Sequence, residues 1–306
     1  MLLVAGMVLF SCQSESLTNE TAQPYSELAK RLLQSEGSDN ANALEGRNNG
    51  TVLDFLLADA DYTVLVAAAS KIAGLPEVLS RPRLNVTLFA PTNEAFVQFL
   101  ADNNIPSLDD VPLEVLEAVL ANHFLVGGKT ADQLGAYEST ASMVSFDEAR
   151  PAQLSLYVNK DNGVTLNGNV AVIGANNLIG RSVVHKVSSV IALPNVVTFA
   201  VSNPLFSSLV EALTRPDLSI DFVSVLSGAG PFTVLAPTNQ AFDNLLVALG
   251  LNTIAEIPAD VLETVLLYHV AGGNLRANKL SKGRTVATLA EPNTYKTQVR
   301  MVIYLL

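Results

Sequence analysis

The sequence predicts an α+β chain built from two tandem copies of one domain. Three observations carry this expectation. A nine-residue phrase occurs twice, as LFAPTNEAF from Leu88 to Phe96 and as VLAPTNQAF from Val234 to Phe242. A helical apolar pattern follows each copy, over VPLEVLEAVLANHF and IPADVLETVLLYHV. After the first of these, AQLSLYVNK-DNG-VTLNGNVAV alternates apolar and polar residues about a DNG turn, the mark of a β-hairpin.

The duplication is extensive. Pro91 aligns with Pro237, and the same offset of 146 places Pro112 on Pro258, His123 on His269 and Leu134 on Leu280 without a gap. From Pro91 to Leu134, 16 of 44 positions are identical, too many for chance, so the copies are homologous. A period of this length marks duplicated domains rather than solenoid repeats. DYTVLVAAAS upstream echoes NPLFSSLVEALT, which sets the units at about 51–194 and 196–306.

At the start of the chain, MLLVAGMVLFSC is an apolar run too short to span a bilayer and typical of a signal-peptide core. It ends in Leu9-Phe10-Ser11-Cys12, which resembles a bacterial lipobox. Residues 1–12 are therefore expected to be a signal, with lipid attached to Cys12, the only cysteine. A plain secretory signal or a buried N-terminal strand are the alternatives. Phe10 is bulky for its place, and no Lys or Arg precedes the run. Residues 13–50, rich in Ser, Asn, Glu and Gly, read as a flexible tether. Within them PYSELAKRLLQ has Leu28, Leu32 and Leu33 at helical spacing.

In LNVTLFAPTNEAF the β-branched and aromatic residues before Ala90 predict a strand, which Pro91 stops because it donates no hydrogen bond. Thr92 or Asn93 is placed to cap the next helix, whose Phe96, Phe99 and Leu100 share a face. Pro237, Thr238 and Asn239 repeat the device before Phe242, Leu245 and Leu246. In the next helix Val115, Leu116, Val119, Leu120 and His123 form one apolar face; Val261, Leu262, Val265, Leu266 and His269 match them. Pro112 and Pro258 mark the helix starts, and Gly127 and Gly273 the ends. A His on an apolar face is most often a core residue bonded to backbone. LIGRSVVHKVSSVIALP closes the first unit as a strand with His185 half-buried on it.

Lys and Arg number 18 against 29 Asp and Glu, a net charge of −11 with no basic stripe, which argues against nucleic acid as a partner. One Cys excludes disulfides within the chain, and three His offer no zinc set. No metal or cofactor is expected, and no nucleophile–base–acid set recurs in both copies.

The order strand–APTNEAF–helix, then a helix ending in a Tyr-His-like pair, then a terminal VVH…VIALP block resembles the fasciclin domain family. The resemblance covers both units. It implies, for each, a wedge of two antiparallel β-sheets with packed helices, and an adhesive rather than enzymatic role. The motif pair stands at Asn122-His123 and Tyr268-His269, so the first copy departs from Tyr-His. Arg181-Ser182 replaces the usual Asn-Gly of the last block. The receptor-binding motifs of animal members are not matched at Asn176-Asn177-Leu178-Ile179. The second unit is expected to be C-terminally truncated, because only 37 residues follow His269 whereas 71 separate His123 from Pro194.

These observations predict an exported, lipid-anchored, non-enzymatic adhesion module of the bacterial outer membrane, cell surface or periplasm. Its expected partners are extracellular matrix, cell-surface protein or polysaccharide, with a binding region around Asn122, His123, Tyr268, His269 and His185. The alternative is a periplasmic or surface accessory that captures glycans or small ligands for uptake.

Overall fold

A computed structural model describes residues 25–37, 50–144, 152–228, 230–275, 285–290 and 294–296. Cys12, the signal segment and residues 297–306 lie outside the described residues.

The first departure from expectation falls within the tether. Helix α1 (Glu27–Leu33) is capped by Ser26, whose side chain accepts from the Ala29 N–H. It buries Leu28, Ala29 and Leu32 in the core of the first unit. The Ser26 N–H donates to Ala73 O at 2.8 Å, the Leu28 N–H to Glu117 Oε1 at 2.8 Å, and Arg31 Nη1 to Ala141 O. A tether reading therefore fails over residues 25–37. The polar neighbours set the composition of the region, whereas the leucines at helical spacing decide this piece of it.

Four further helices lead into and flank the first strand: α2 (Val52–Leu57), α3 (Thr63–Ser70), α4 (Leu75–Leu79) and α5 (Asn93–Asp102). Strand β1 (Val86–Pro91) is buried along its whole length. Helix α6 (Leu113–Ala121) then runs into the short strand β2 (Phe124–Val126), which periodicity had not separated from the helix. There follow β3 (Tyr137–Val144), β4 (Ala152–Asn159), β5 (Thr165–Leu166), β6 (Val170–Ile179) and β7 (Ser182–Val187).

Helices and strands mix as expected, but the two sheets of the wedge join into one closed order, β1 through β7 and back to β1. The closing seam is parallel, Thr87 against Val183 through Pro91 against Val187. Each strand runs antiparallel to the next. With an odd number of strands, the last must run with the first. Closure leaves β1 no free edge, the state in which an unpaired strand would recruit another chain.

Alternation along β1 divides the core. Leu88 and Ala90 face the helices, with Leu56, Leu65, Leu79, Phe96 and Leu120. Phe89 faces the other way, with Leu125, Leu156, Leu166 and Val187.

The second unit repeats the helical half. It has α7 (Val196–Ser202), α8 (Ser207–Leu213), α9 (Phe222–Ser227), β8 (Phe232–Val234), α10 (Asn239–Leu249), α11 (Ala259–Tyr268), β9 (Val270–Gly272), β10 (Thr285–Ala287) and β11 (Thr294–Lys296). Strand β8 pairs with β9, and β10 with β11. Its core is separate and smaller, built on Phe206, Phe222, Phe242, Ile254, Leu262 and Leu266.

Candidate functional site

The repeated phrase resolves into a junction. Pro91 is the last residue of β1, and the Thr92 side chain accepts from the Ala95 N–H at 3.2 Å, capping α5. Asn93 does something that local reading missed. Its Oδ1 accepts from the Val64 N–H at 2.9 Å, while Nδ2 donates to Ala60 O at 2.8 Å and Thr63 Oγ1 at 2.9 Å. It thus caps α3, a helix about thirty residues upstream, rather than its own. In the second unit Asn239 Oδ1 accepts from the Ser208 N–H at 3.0 Å, and Nδ2 donates to Pro204 O at 2.9 Å. Pro237 and Thr238 hold the corresponding places, although Thr238 makes no side-chain cap. The shared phrase is a bolt between two helices and a strand.

Asn122 and His123 follow α6 and are both fully buried. His123 Nδ1–H donates to Val119 O at 2.8 Å, and Nε2 accepts from the Ile191 N–H at 2.9 Å. Those two bonds assign the tautomer. Burial pushes its pKa down to about 4, so the ring is neutral. Asn122 Nδ2 donates to Ile191 O at 3.2 Å and Ala192 O at 2.9 Å. The motif pair therefore ties the end of α6 to the segment after β7. On the same helix Val115 is 39% exposed, so the apolar face is narrower than its spacing implied.

His185 was expected half-buried and is instead fully buried on β7. Closure of the sheet seals both of its faces. Its ring stacks on Phe89, centroids 5.5 Å apart, and uses the opposite tautomer. Nδ1 accepts from the Asn176 N–H at 3.2 Å, and Nε2–H donates to Lys129 O at 3.0 Å. Burial lowers its pKa too.

A partner cannot touch side chains held in this way. The binding region expected at Asn122, His123 and His185 is internal bracing: both ring nitrogens of each His and the Asn122 Nδ2 are spent on backbone groups, while Asn122 Oδ1 is buried without a partner among the described residues. The second copy differs: Tyr268 is 36% exposed and His269 is half-buried, its Nδ1 donating to Val265 O at 2.7 Å. Asn85, which begins an N-x-T triplet, is buried and accepts from the Gly128 N–H through Oδ1. Among the described residues no group of three or more His, Cys, Asp or Glu could hold a metal ion. Among the same residues, no single helix is long and apolar enough to cross a membrane.

Comparison with known proteins agrees with the repeat. The sequence profile of the Fasciclin domain matches residues 60–194 and again 204–304. The aurofusarin biosynthesis cluster protein S of Gibberella zeae is 27% identical over 227 residues, 72% of this chain and 54% of its own length. The cell surface glycolipoprotein MPB83 of Mycobacterium bovis is 39% identical over 90 residues, 28% of this chain and 38% of its own. The chain spans about half the length, or less, of these curated relatives. Among solved structures, a FAS1 domain pair from the insect cell adhesion molecule fasciclin I is 16% identical. It covers 80% of this chain and 81% of its own, with a TM-score of 0.38. No enzyme family is indicated by these matches.

Proposed function

The chain belongs to the fasciclin domain family, and from that premise we propose that it is an exported, non-enzymatic binding module of the cell surface. Lipid on Cys12 holds it to a membrane, and the two units contact matrix, cell-surface protein or polysaccharide partners. The observation that carries this reading is the fate of the reactive side chains. His123 and His185, the strongest candidates for chemistry, are buried, neutral and bonded at both nitrogens, so they build a rigid scaffold instead of a reaction site. A surface relative, the glycolipoprotein MPB83, supports an extracellular address. Two copies on one chain favour adhesion, since two weak contacts gain avidity that neither has alone.

Two measurements test the proposal. Cys12→Ser should move the protein from the membrane fraction to the soluble fraction, and unchanged partition would refute the anchor. Cells displaying the intact chain should adhere to matrix or to one another more than cells lacking it. Equal adhesion, together with saturable capture of one sugar on a glycan array, would favour the uptake accessory.

A further inference from the structure

The hairpin tip between β4 and β5 carries a chemistry that neither the fold nor surface binding uses. The sequence has three Asn-Gly steps, at 49–50, 162–163 and 167–168. In such a step the asparagine carboxamide carbon and the next backbone nitrogen can close a five-membered ring, and glycine has no side chain to shield that nitrogen. Residue 49 lies outside the described residues. The other two steps flank β5 and sit in opposite environments.

Asn162 and Gly163 are both exposed. Among the described residues the Asn162 carboxamide has no hydrogen-bond partner. Gly163 has φ +88, and a Cβ built on it would meet nothing within 4 Å, so its peptide group stands in open solvent. An isolated bridge joins Asp161 to Gly163, beyond the ladder that ends at Asn159 and Thr165. The neighbouring side chains are occupied elsewhere. Asn159 Oδ1 accepts from the Asp161 N–H at 2.8 Å, and Lys160 Nζ donates to Asp132 O at 3.2 Å and Leu134 O at 2.6 Å. Asn167, by contrast, is 7% exposed. Its Oδ1 accepts from the Tyr157 N–H at 3.0 Å while its own N–H donates to Tyr157 O at 2.9 Å, which holds the carboxamide on β4. Gly168 is packed against Ser202. Ring closure at Asn167 must therefore wait for local opening.

We propose that Asn162-Gly163 is a spontaneous deamidation site and that the fold protects Asn167-Gly168 from the same reaction. The Gly163 nitrogen attacks Asn162 Cγ, and a C–N bond forms as the Cγ–Nδ2 bond breaks. The Gly163 amide proton leaves with Nδ2 as ammonia. Water then opens the succinimide at either carbonyl, giving aspartate at 162 or isoaspartate, whose main chain is one methylene longer. One water is consumed, one ammonia is released, and nothing is oxidised or reduced. Either product adds one negative charge to a chain already at −11 and sets a second carboxylate beside Asp161. The change falls outside the paired residues, so the β4–β5 ladder and the core around Leu156, Val158 and Leu166 are kept.

The test ages the full chain at 37 °C and pH 8 in oxygen-18 water and maps it by tandem mass spectrometry. Asn162 should become aspartate and isoaspartate carrying one solvent oxygen, on the order of tenfold or more faster than Asn167. In urea strong enough to unfold the chain the two rates should converge. Gly163→Ala should slow Asn162 about tenfold by shielding the attacking nitrogen, and thermal unfolding reports whether that variant keeps its fold. Equal rates at Asn162 and Asn167 in the folded chain, including no reaction at either, would overturn the proposal. So would a difference that persists in urea, because distant neighbours rather than the fold would then set it.

Discussion

His123 is where acid should first be felt. The folded chain holds its ring neutral down to about pH 4, whereas an unfolded chain protonates a His near its ordinary value of 6.5. Between those values the unfolded state carries more protons, so stability falls as pH falls. The loss approaches ~3 kcal/mol at pH 4 for a fully buried ring, and His185 adds in the same direction. Carboxylates such as Asp54 and Asp132 are shifted below their usual range and act only at lower pH. Urea unfolding at pH 7, 5.5 and 4.5 should show a steeper decline for the native chain than for His123→Gln, which starts less stable. Parallel declines would mean that the ring takes its proton without unfolding. A second prediction concerns Asn93: Asn93→Ala removes three hydrogen bonds and the α3 cap together, and should cost about 2 kcal/mol. Thr92→Ala loses a single cap bond and should cost about 1 kcal/mol. Equal costs for the two would contradict the assignment of Asn93 as the bolt.

Element by element, local patterns told what was local. Strand β1, the cap at Thr92, the hairpin and the amphipathic faces of α5 and α6 were all readable, because each follows from residue spacing. Asn93 was read as a local cap because sequence shows only neighbours, and its partners Ala60, Thr63 and Val64 come near through tertiary folding. The parallel seam between β1 and β7 was illegible for the same reason, since it depends on how many strands lie between them. Strand β2 was lost because three residues after a helix carry no period of their own. Helix α1 was legible in Leu28 and Leu32 but hidden by polar flanks. Its burial makes a direct prediction: Leu32→Ala should destabilise the first unit by 2–4 kcal/mol, the cost typical of a core leucine. Chemical denaturation followed through Tyr62, a core residue of that unit, would read it. No change would restore the tether.

For the whole molecule, the question is how two cores sit on one chain. Among the described residues the hydrophobic cluster of the second unit shares no residue with those of the first, so these parts of the two units are held by a junction instead of a common interior. That junction is α7, which starts at Val196, two residues after Pro194, with a capping box at Asn195. Near its end, Asn203 Nδ2 donates to Tyr137 OH at 2.9 Å, and Tyr137 packs on Tyr157 with ring centroids 5.2 Å apart. Beside it Gly168, in the turn between β5 and β6, has φ +78 and leaves no room for a side chain: an added Cβ would lie 2.9 Å from Ser202 Cα. Glycine is required there both for its backbone conformation and for this approach. Gly168→Ala should therefore leave both cores folded while costing the first unit about 1 kcal/mol in backbone strain and pushing α7 away. Calorimetry of the native chain should show two transitions, because the cores are separate. In Gly168→Ala the lower transition should shift, and the distance distribution between dyes on the two units should broaden. An unchanged distribution would mean that contacts other than the Gly168–Ser202 approach set how the two binding units are presented.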